Sequence, residues 1–178
     1  MKHKTSPTGK PADYYVIGLI LGGLAFWLLT KQAASFAALF QLVSLCMFAA
    51  ALFILIRYRL TVFHLRIEGK DGAAVDVHTA MPEELDLVIE EKRGKRYVTL
   101  ARLSLVDLKR AEVVKYSKLR ETVKAKGASV FKYQADMSPE EGCLLIFDHR
   151  GDTVAIFTDL SSEMLGFLKK VADANTNY

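Results

Sequence analysis

YYVIGLILGGLAFWLLT (residues 14–30) and FAALFQLVSLCMFAAALFILI (residues 36–56) contain no charged residue and are separated only by Lys31–Ser35. At ~1.5 Å per residue, helices of these lengths reach roughly 25 Å and roughly 31 Å, close to the ~30 Å thickness of a bilayer's hydrocarbon. Each run is therefore expected to cross a membrane as a helix. The connection is too short to cross back alone, so the two helices form an antiparallel hairpin and everything after Ile56 lies on the side of the N-terminus. This reading divides the chain into a tail, residues 1–13, a transmembrane hairpin, residues 14–56, and a domain, residues 57–178.

Lysine and arginine near the spans set the orientation. Lys2, Lys4 and Lys10 precede the first run, Arg57, Arg59 and Arg66 follow the second, and the connection holds only Lys31. The expected topology is a multi-pass protein of the cell membrane with both termini cytoplasmic. The first run also fits a cleaved signal peptide, with a basic leader and the small residues Ala33-Ala34-Ser35. The length of that run and the second span that follows it favour the hairpin.

The formal charge of +4 is concentrated at the membrane end. Residues 1–56 hold Lys2, Lys4, Lys10 and Lys31 against Asp13, which leaves about +1 for the rest. Such a domain has no field to draw nucleic acid. Cys46 and Cys143 make no disulfide framework and suit a reducing compartment.

Within the first run, Gly18 and Gly22 form a G-x-x-x-G pair of the kind that lets helices approach closely. The pair serves either contact between the two helices of one hairpin or assembly with a second copy. The spans contain no charged residue, and Gln41 and Ser44 are the polar residues of the second, so a transporter or proton relay is not indicated.

The domain reads as mostly β. Tyr58–Glu68 is expected as the first strand, followed by Ala74–Thr79, then Leu85–Glu91 and Arg96–Leu100 across Lys92-Arg93-Gly94-Lys95, then Asp107–Tyr116 and Ala128–Ala135. GCLLIFD (142–148) and TVAIFT (153–158) form the clearest hairpin. A helix from Ser161 to about Asp173 closes the chain, with Ser161 as cap, Leu160 and Leu165 as staple, and Met164, Phe167, Leu168 and Val171 as its apolar stripe.

About seven strands followed by one amphipathic helix, placed after a transmembrane hairpin, resembles the bacterial pleckstrin-homology-like (PH-like) domain proteins. The YRLT stretch opening the first strand, RYVTLARLSLVDLKRAEVV, and the last hairpin with its helix carry the likeness, over residues 14–173. It implies an α+β chain, a transmembrane hairpin followed by a mostly antiparallel PH-like barrel closed by the C-terminal helix. It also implies a role in membrane-proximal binding or assembly. The chain departs from eukaryotic relatives in two places. Its one tryptophan, Trp27, lies in the hairpin, and Glu68–Gly72 lacks the spaced basic residues that hold inositol phosphates.

Lys115, Lys118, Arg120, Lys124 and Lys126, opposed only by Glu121, form the main basic cluster. Near a membrane such a segment contacts anionic lipid headgroups at about 1 kcal/mol per cation, with Tyr116 and Val123 dipping into the interface. The plainer reading is a solvated loop or short surface helix. The turn Lys92–Arg96 reads as a charged hairpin tip. Asp76 and His78 share a face of an extended segment, but no further ligand completes a metal set. Asp148-His149 with Asp152 reads as turn chemistry, and Ser161-Ser162 lacks a G-x-S-x-G context. No catalytic constellation and no cofactor motif is present. The expectation is a non-enzymatic membrane-anchored module whose domain binds a protein partner through a sheet edge or loops. The alternatives are recognition of anionic lipid through Lys115–Lys126, and a small accessory subunit or homo-oligomer assembled through the hairpin.

Overall fold

A computed structural model describes residues 1–5, 10–32, 34–72, 76, 79–93, 95–124, 127–137, 139–149 and 151–176. They divide into two compact units. One comprises Pro7–Thr61 with Ala135–Met137, and the other Met1–Ser6, Val62–Gln134 and Ser138–Tyr178.

The first unit is an antiparallel pair of helices, α1 (Lys10–Leu29) and α2 (Ala37–Leu55), with α2 prolonged by a π-helical turn over Ile56–Leu60. Pro11–Leu29 and Ala37–Leu60 are long and apolar enough to cross a membrane, and only 11% of each span's apolar window is buried, so the apolar side chains face outward. The sequence reading places Tyr58–Leu60 in the first strand. Instead, these residues continue the helix, and Thr61 ends it by donating its N–H and hydroxyl to the Ile56 carbonyl at 3.0 and 2.9 Å.

Small residues bring the helices together. A Cβ on Gly22 would strike the Met47 side chain, and one on Gly23 would sit 2.9 Å from the Phe48 ring. The buried Ser44 hydroxyl donates to the Gly23 carbonyl at 2.8 Å, which satisfies the one buried polar side chain of α2. At the open end of the pair Asp13 meets Arg59 at 3.5 Å. The two glycines of the G-x-x-x-G pair thus differ: Gly22 packs on α2, whereas a Cβ at Gly18 would meet nothing within 4 Å.

The second unit holds two four-stranded sheets. The first has the order β1-β2-β3-β4, antiparallel throughout, with β1 Lys2–Lys4, β2 Val62–Gly69, β3 Leu85–Arg93 and β4 Arg96–Ser104. The second has the order β5-β7-β8-β6, from β5 (Leu108–Lys115), β6 (Ser129–Tyr133), β7 (Glu141–His149) and β8 (Asp152–Thr158). Its β6 runs parallel to β8, which the sequence reading does not anticipate, because α3 (Tyr116–Lys124) carries the chain across between β5 and β6. The overall class is α+β.

Alternation along β2 places Phe63, Leu65 and Ile67 inward, where they meet Leu85, Leu87 and Ile89 of β3 and the inner residues Leu145, Phe147 and Ile156 of the second sheet. Met164, Leu168 and Val171 of α4 (Ser162–Thr176) complete this core, the stripe expected from sequence. Ser161 caps α4 by accepting the Met164 N–H at 3.3 Å. The opposite face of the second sheet is covered as well: Leu119 and Val123 of α3 pack on Leu144, Ile146, Ala155 and Phe157. Two covered faces explain why β7 and β8 read as nearly continuous apolar runs.

Residues 1–13 are expected as a tail, yet Lys2–Lys4 form an edge strand on β2. The Thr5 N–H reaches the Phe63 carbonyl at 3.0 Å, and the Ile67 N–H reaches the Met1 carbonyl at 3.0 Å. The chain before α1 and the chain after α2 therefore belong to one sheet. Gly94 and most of Ala74–Thr79, including His78, lie outside the described residues.

Candidate functional site

Among the described residues, three surfaces of the β unit carry side chains suited to binding. The first is β4, the terminal strand of its sheet, whose nine residues are exposed or half-buried throughout. Tyr97, Val98 and Leu100 are its exposed apolar residues. A bulge opposite Ile89 and Glu90 inserts Leu100 between Thr99, paired with Glu90, and Ala101, paired with Ile89. Ala101 and Leu103 then return to the core, while Arg96–Leu100 leave it. A terminal strand keeps unpaired N–H and C=O groups along its outer side, a template for a further strand.

The second surface is the outer face of the first sheet, where ion pairs link β2, β3 and β4 and where Asp86 and Val88 are themselves buried. Arg66 meets Glu68 at 3.1 Å and Glu90 at 3.0 Å, and Arg102 meets Glu68 at 2.7 Å and Asp86 at 3.6 Å. The alternation His64-Arg66-Glu68 and Asp86-Val88-Glu90 is visible in the sequence, but the pairing needs the register of three strands. His64 stacks its ring edge-to-face on Tyr97, with centroids 5.0 Å apart. Burial, then the charges of Lys4 and Lys92, push the His64 pKa below its usual value, and Glu90 partly opposes them.

The third surface is α3, where the structure revises the sequence reading. Val123, expected to dip into a membrane interface, is buried with Leu119 against the second sheet and is not available. Its burial leaves Lys118, Arg120 and Lys124 on the solvent side, with Lys115 exposed at the end of β5. Lys126 lies outside the described residues. Lys132 of β6 donates to the Tyr116 hydroxyl at 2.9 Å, and with Leu119, Arg120 and Val130 these residues line a groove of about 370 Å³.

The remaining candidates separate. His149 Nδ1 pairs with Asp107 Oδ2 at 2.7 Å, a contact between β7 and the turn before β5 that no local signal announces. Gly151, with φ of 89°, makes the turn beside it, and nothing nucleophilic joins the pair among the described contacts. Burial pushes the Cys143 thiol up to about 11, which keeps it protonated and unreactive. Among the described residues no group of three His, Cys, Asp or Glu side chains is arranged to hold a metal.

Compared with protein families, with curated proteins and with solved structures, the chain shows no match. The geometry of these surfaces therefore carries the functional argument.

Proposed function

We propose that the protein is a non-enzymatic membrane-anchored module in which the hairpin spans the cell membrane, both termini face the cytoplasm, and a PH-like domain receives a protein partner on β4. One observation carries this reading: a nine-residue terminal strand bearing Tyr97, Val98 and Leu100 stands uncovered in a unit whose other long strands are packed. Exposed apolar edges favour pairing with another chain, and because β4 bulges at Leu100 the regular stretch Arg96–Thr99 offers the pairing backbone. Here the occupant is an extended segment of a partner protein, joined by main-chain hydrogen bonds and by apolar side chains seated beside Val98 and Leu100. Two apolar helices with outward-facing side chains support the anchor.

A photocrosslinking residue placed at Leu100 of the full-length protein in its native membrane tests the reading. A discrete protein adduct at position 100, absent when the crosslinker is moved to Lys109 and lost in a Val98→Lys variant, is expected. Equal adducts at both positions, or none at 100, overturn strand addition.

A second reading rests on α3, whose cations are exposed because its apolar side is buried. Recognition of anionic lipid there predicts that a spin label at exposed Glu121 loses water accessibility in anionic nanodiscs and not in neutral ones. Reversal of Lys118, Arg120 and Lys124 to Glu should abolish that difference. An unchanged difference removes the lipid reading.

A further inference from the structure

Where β1 joins β2, basic side chains stand side by side. Lys2 is directly opposite Arg66, and Lys4 directly opposite His64. Arg66 is already neutralised by Glu68 and Glu90. Lys2, Lys4 and Tyr97 have no hydrogen-bond or ion-pair partner among the described residues, and His64 Nε2 is buried without one. These side chains come from three strands and line one open cavity of about 350 Å³ at the β1 end of the sheet. That volume lies near the lower end of the ~300–1,000 Å³ range of small-molecule pockets.

We propose that this cavity binds a phosphate ester through Lys2, Lys4, His64 and Tyr97. The donor geometry selects the chemistry. A carboxylate has two oxygens and lies in one plane, whereas a phosphate offers three oxygens in different directions, which suits the two cations of β1 and the Tyr97 hydroxyl of β4 around one cavity. The unoccupied volume and the flat Tyr97 ring leave room for the ester's organic part. Glu90 lines the same cavity, but its carboxylate is held 3.0 Å from Arg66 and so is screened from the ligand. The proposal does not depend on β4 accepting a partner strand.

The same phosphate chemistry occurs in a soluble ester and in a lipid headgroup, and the test separates them. The full-length protein, in nanodiscs of neutral lipid, is titrated with glycerol phosphate while the His64 ring resonances are followed across pH. A second preparation carries phosphatidic acid in the disc and no soluble ester. Lys4, Lys92 and Glu90 act on His64, with Arg66 beside it and Tyr97 against its ring, so an added anion must raise the His64 midpoint. A rise in the first preparation assigns a soluble ester; a rise confined to the second assigns a headgroup. Lys2→Glu with Lys4→Glu should weaken the effect at least about tenfold, as loss of charge-assisted hydrogen bonds implies. Tyr97→Phe, which keeps the ring and leaves β1 untouched, should weaken it several-fold. A His64 midpoint unmoved in both preparations, or moved equally in wild type and Tyr97→Phe, overturns the proposal.

Discussion

In the second sheet, β7 buries six successive residues, Gly142–Phe147, because α3 lies on one face and the main core on the other; in the first sheet, none of the nine residues of β4 is buried. The two strands are equally long and both rich in apolar residues. What separates them is the layer on each side. A strand covered twice is committed to holding the domain together, and a strand at a bare edge leaves its backbone and side chains for recognition. The proposed binding surfaces accordingly use β4, the outer face of the first sheet and the solvent side of α3, and none uses β7.

The largest test of this contrast is Phe147→Ala. Phe147 is fully buried between the sheets, and truncation should cost about 3–5 kcal/mol in urea unfolding of the full chain in detergent. Tyr97→Ala, half-exposed on β4 and losing its edge-to-face contact with His64, should cost about 0.5–1.5 kcal/mol. Comparable losses would show that β4 is covered after all and break the comparison.

Gly142→Ala sharpens it from the other side. A Cβ there would lie 2.7 Å from the fully buried Phe157 ring and 2.9 Å from Gln134 Nε2, so the tightly packed sheet must shift. A loss of about 1–3 kcal/mol is expected, measured by the same unfolding.

The first sheet should instead reveal itself in pH dependence. Burial, reinforced by Lys4 and Lys92, holds the His64 pKa below its usual 6.5, and burial lowers His3 as well. The folded state therefore prefers the neutral rings. Their contribution is present above the unfolded value and is lost as pH falls through the folded value. The melting midpoint should hold above about pH 6.5 and decline below it, and His64→Gln should flatten that decline; a midpoint indifferent to His64→Gln refutes the assignment.

The smallest expected effect is Val98→Lys, a change at the bare edge that should move stability by no more than about 0.5 kcal/mol while removing the crosslink at Leu100. Loss of folding instead would mean that Val98 belongs to the core.

Much of this architecture is legible in local sequence. The apolar hairpin follows from uncharged runs of sufficient length, the β7–β8 pair from two apolar runs around Gly151, and α4 from its stripe and serine cap, because each depends on neighbours within a few residues. The helix over Tyr116–Lys124 was expected only as a loop or short surface helix, since its charges dominate and just Leu119 and Val123 mark the buried side. The parallel pairing of β6 with β8 and the strand Lys2–Lys4 have no local signature, because both are stabilised by hydrogen bonds to partners far along the chain. Lys2–Lys4 even reads against pairing, being charged and placed beside Arg66 and His64.

Sequence alone determined the class of each region: two outward-facing apolar helices, a β-rich unit after them, and a basic stretch over Lys115–Lys126. Tertiary structure alone decided which residues are free to act. It buried Val123, brought Lys2 and Lys4 to His64 and Tyr97, and left β4 as a sheet edge. Exposure and cross-strand register are properties of pairs of distant segments, and a single linear pattern specifies which face of a strand is apolar without specifying what covers it.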